Sequence, residues 1–128
     1  ENAEYIEHEL YDNFENDNAK FKYAEELIKK YSQAKYVVTS RIHCALPCLG
    51  LDTPVLYTFD LSQDKISTCR MGGLLELFHV IKINGNKIST PFTFKKNTNT
   101  LDFENKKTYI PYKEELIQRC FKFMTDAE

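Results

Sequence analysis

Three residues that can hold an anion or move a proton stand together in this sequence. Ser40-Arg41-Ile42-His43 separates two apolar runs, Tyr36 to Thr39 before it and Cys44 to Leu49 after it. A guanidinium offers a planar fork of donors that fits phosphate or carboxylate. An imidazole can give or take a proton near neutral pH. A serine hydroxyl can cap a helix or contact a bound anion. Isolated arginines and histidines more often serve a surface ion pair and a polar niche. Here they meet at one junction between apolar segments, and that placement weighs toward a site.

The elements around the junction explain why the placement matters. Tyr36-Val37-Val38-Thr39 is a short β-branched run, the pattern of a strand covered on both faces. The following run predicts a short helix capped by Gly50. Pro47 requires that helix to start near His43 or to kink. The junction therefore falls at the carboxyl end of a strand and at the amino end of a helix. In open parallel sheets this is where ligands bind, and helix N–H groups there attract anions.

The same reading extends along the chain. Ala3 to His8 alternates enough for a short strand, with His8 at its end. Asp12 to Asn18 is a polar loop carrying capping residues. Phe21, Ala24, Leu27, Ile28 and Tyr31 recur at helical spacing, with Lys29 and Lys30 near the helix end. Pro54 to Phe59 predicts a further strand, Leu61 to Cys69 a polar connection, Gly72 to Phe78 a short helix and Val80 to Ile83 a strand. Asn84-Gly85 fits a type I′ hairpin turn, and residues 84–110 form an irregular excursion. A final helix begins at Pro111, with Leu116, Ile117, Cys120, Phe121 and Met124 on an apolar face that should dock on the sheet. Alternating strands and helices predict an α/β fold, a Rossmann-like three-layer domain with a mostly parallel sheet over residues 1–128.

Composition narrows the function. The chain has 128 residues, 42% of them hydrophobic and 28% charged, enough to bury one core. Seventeen Lys and Arg stand against nineteen Asp and Glu, so no basic excess supports nucleic-acid binding. No apolar run is long enough for a membrane span. Four cysteines lie scattered, and no Asn-x-Ser/Thr acceptor occurs; the expectation is a reducing, cytoplasmic setting with free thiols. Cys44 and Cys48, four apart, read as core thiols rather than zinc ligands, and no metal is expected. His8, Lys65 and Arg70 are further candidates for the same cleft, and His79 reads as structural. Of Tyr5, Tyr11 and Tyr23, which could stack on a sugar ring, Tyr23 reads as packing.

The stretch from Ala24 to Tyr57 resembles the C-terminal half of the polysaccharide pyruvyl transferase family. The resemblance rests on Ala34, on Val37-Val38-Thr39, on Ser40-Arg41-Ile42-His43, and on Gly50 with Pro54 after a small-residue helix. Ile42 stands where the family has leucine, Pro47 departs from its usual helix, and the Gly-to-Pro spacing is longer. The resemblance is good over residues 20–60, weak to Val80, and not useful over 84–110. It implies a glycosyltransferase-B-like architecture with two Rossmann-like halves. It further implies transfer of pyruvyl from phosphoenolpyruvate to a saccharide acceptor as a ketal, as in exopolysaccharide biosynthesis, with no cofactor. Arg41 and Ser40 would then bind the donor with the Ile42 backbone, and His43 would be catalytic. The chain opens at Glu1 without Met. It is therefore expected to be one domain of a longer transferase, inactive without an N-terminal domain or a partner chain. Two other readings stay open. One is half of a nucleotide-sugar glycosyltransferase, although Gly72-Gly73 is no phosphate loop. The other is a non-catalytic anion-binding or interaction module.

Overall fold

Asn16 opens the first described helix, α1 (Asp17–Gln33), by accepting a hydrogen bond from the Ala19 amide at 2.9 Å, as expected of Asn at an N-cap. The structure, a computed structural model, describes residues 3–7, 14–62, 71–92 and 103–126. Leu27 and Tyr31 turn toward the core, whereas Phe21 and Ile28 stay exposed. The inward stripe of α1 is thus narrower than the spacing predicts. The expected first strand is absent over residues 3–7. Ile6 packs against the core, Tyr5 is exposed, and Glu4 pairs with Lys30 in the last turn of α1. Among the described residues, an apolar anchor and an ion pair hold this segment, and no sheet ladder does.

The sheet has four strands in the order β1-β2-β3-β4. β1 (Val37–Thr39), β2 (Val55–Asp60) and β3 (His79–Asn84) are parallel, and β4 (Lys87–Ser89) returns antiparallel to β3. The crossover from β1 to β2 is α2 (Ile42–Gly50), and residues 71–75 are helical ahead of β3. The β3–β4 hairpin forms, but its turn is centred one residue later than expected. Asn84 pairs with Lys87, which leaves Gly85 and Asn86 in the turn. Gly85 has φ +55° and Asn86 does not share a positive φ, the pattern of a type II′ turn rather than type I′. Residues 84–110 are therefore less irregular than expected, since the hairpin and a 3-10 turn at Lys107–Tyr109 lie within them.

Alternation along β2 builds the core. Val55, Tyr57 and Phe59 face Cys44, Ala45, Cys48 and Leu49 of α2, with Tyr31, Phe78 and Tyr109 closing the cluster. Leu56 points to the opposite face and is also buried. On that second face the rings of Tyr36, His79, Phe92 and Phe103 touch, at centroid separations of 4.9–6.4 Å. His79 also bonds the Glu104 carbonyl through Nε2 at 3.0 Å, so its role is structural as expected. Val38 on the same face is 52% exposed. Among the described residues the helical elements all pack into one cluster, with aromatic rings in place of a third layer. The four strands establish an open, mostly parallel α/β sheet and nothing more specific.

Asn105 ties the excursion back to the sheet. Its buried side chain accepts from the Val55 amide at 2.9 Å and donates to the Thr53 carbonyl at 2.8 Å. The chain then enters α3 (Ile110–Thr125), with Pro111 in the first turn where its missing N–H costs nothing. The expected docking of α3 on the sheet does not occur. Tyr109 and Ile110 reach the core, and from Tyr112 onward every described residue is exposed. The two anchors sit at the base of the helix and leave its length without cover. Among the described residues no helix is long and apolar enough to cross a membrane.

Candidate functional site at the β1–α2 junction

β1 stops at Thr39, level with Tyr57, while β2 runs on to Asp60 beside β3. Three residues of strand rise about 10 Å, so the chain leaving β1 turns into α2 within a step flanked by β2. Two hydrogen bonds fix that turn. The Arg41 amide donates to Thr39 Oγ1 at 3.1 Å, and the Tyr57 hydroxyl donates to the Ser40 carbonyl at 2.8 Å. Tyr57 is buried and stacks on Phe78 with centroids 5.5 Å apart. Burial pushes its hydroxyl above the ordinary tyrosine value, which keeps it a donor.

Arg41, not Ser40, occupies the N-cap of α2, with extended φ −104° and ψ 121° and no side-chain cap bond. Its carbonyl accepts from the Cys44 and Ala45 amides at 3.1 and 3.0 Å. The Ile42 and His43 amides precede these, so they head the helix and face the strand-end surface. Helix geometry leaves such N–H groups for an anion or water, and the helix dipole favours the anion. Ser40, Arg41 and His43 are exposed around them, while the Ile42 side chain packs inward. Ile42 can thus offer only its backbone. α2 starts one residue before His43 and carries Pro47 within it. Its left-handed exit is made by Asp52 at φ +56°, not by Gly50. Asp tolerates this region better than most side chains, and the Asp52 carboxylate accepts a bond from Tyr109.

The other candidates separate. His8, Lys65 and Arg70 lie outside the described residues, as do Tyr11 and Cys69. Tyr23 is half-buried against Phe14. Cys44 and Cys48 are buried, and neither is in a disulfide. A hydrogen bond with Cys44, and then burial, push the Cys48 thiol well above the usual range, so it stays a neutral core thiol. Among the described residues no group of three or more His, Cys, Asp and Glu is placed to hold a metal ion.

Two residues of the strand-end edge were not singled out from the sequence. One is Tyr57, which orients the turn. Its signal was a tyrosine inside an apolar strand, since a buried hydroxyl needs a partner. The other is Asp60 at the end of β2, whose carboxylate accepts the Ser62 amide at 2.8 Å. That bond holds it below the usual carboxylate range.

A strand, a turn held from two sides, and a helix amino end bearing Arg and His coincide with a sequence match. Residues 2–59 match the family model for polysaccharide pyruvyl transferases. The first part of the chain is similar to that family. The match occupies the N-terminal part of this chain, takes in α1, β1, the junction and α2, and ends one residue before Asp60. No curated protein and no solved structure matches the chain. The pyruvyl transferase resemblance therefore rests on the segment that builds the junction, and the hairpin and α3 lie beyond it.

Proposed function

We propose that the β1–α2 junction is the donor site of a pyruvyl transferase and that it takes phosphoenolpyruvate. The observation that carries this reading is the coincidence of Arg41, His43 and the two leading α2 amides at one strand end, inside the matched segment. Phosphoenolpyruvate presents a phosphate and a carboxylate, and such a ligand needs fixed donors more than apolar walls. The Ile42 and His43 amides bind one anionic group and the Arg41 guanidinium clamps it. Ser40 stands beside them as a further hydroxyl donor.

Ketal formation asks for two things of such a site. A sugar hydroxyl adds at C2 of the enolpyruvyl group while a proton is delivered to C3. The C2–O bond to phosphate then breaks, phosphate departs, and a second hydroxyl closes the ring. His43 delivers the proton or hydrogen-bonds the departing phosphate. In this reading the chain supplies the donor half. The acceptor surface comes from a second domain or a partner chain, as in the C-terminal domain of a two-domain transferase.

The test is phosphoenolpyruvate binding followed by ligand-observed NMR on wild type and Arg41→Ala. Saturable binding by wild type, lost in the variant, is the expected result. Binding that survives in Arg41→Ala moves the donor site elsewhere, and absence of binding to wild type removes this chain as a self-sufficient donor half.

A further inference from the structure

We draw no further inference here: the strongest candidate, the exposed apolar face of α3 that carries Leu116, Ile117, Phe121 and Met124, supports none because nothing in the structure shows what covers it.

Discussion

Tyr57 shows how one side chain can link core and site. Its ring belongs to the apolar cluster and its hydroxyl holds the Ser40 carbonyl. Tyr57→Phe keeps the ring and removes that bond, so a stability loss of about 1 kcal/mol is expected in denaturant unfolding. On the donor-site reading it should also weaken phosphoenolpyruvate binding, because the turn into Arg41 loses the hydroxyl that holds the Ser40 carbonyl. Unchanged affinity would mean that the turn holds its shape without Tyr57. Asp52 gives a second residue-scale test. The Tyr109 hydroxyl, with help from Lys113 and Lys107, holds its carboxyl below the ordinary 3.8. A pKa lower in the folded than in the unfolded chain stabilises the fold above the unfolded value, and that contribution is lost as pH falls through the folded one. Tyr109→Phe should move the Asp52 titration up toward 3.8, read by carboxyl NMR. A titration that stays put would assign the shift to the lysines.

At the scale of elements, the local patterns that a sequence carries well are the ones found. β1, β2, β3 and α1 follow from β-branched runs and from apolar spacing at helical period, and the junction between β1 and α2 follows from them. The misses share a cause, in that each depends on a partner far along the chain. Residues 3–7 alternate like a strand but make no ladder, and alternation cannot report whether a neighbour is present. Gly50 is a reasonable helix terminator, yet the left-handed position went to Asp52, which Tyr109 holds from 57 residues away. Asn105 stands in a polar stretch with no pattern at all, and its two bonds reach back to Thr53 and Val55. Asn105→Ala would leave a buried amide and a buried carbonyl without their partner, at about 1–3 kcal/mol for each group. Thermal unfolding should show that loss as a clearly lower midpoint. A drop of only a few tenths of a kcal/mol would mean that water replaces the clamp.

The whole molecule has more apolar surface exposed than its core requires. One sheet face carries aromatic rings but leaves Val38 half in water, and α3 adds a full amphipathic face. Composition predicted a chain able to bury a core. It could not say that the last helix would be spent outside it, because an apolar face looks the same whether the chain or a partner covers it.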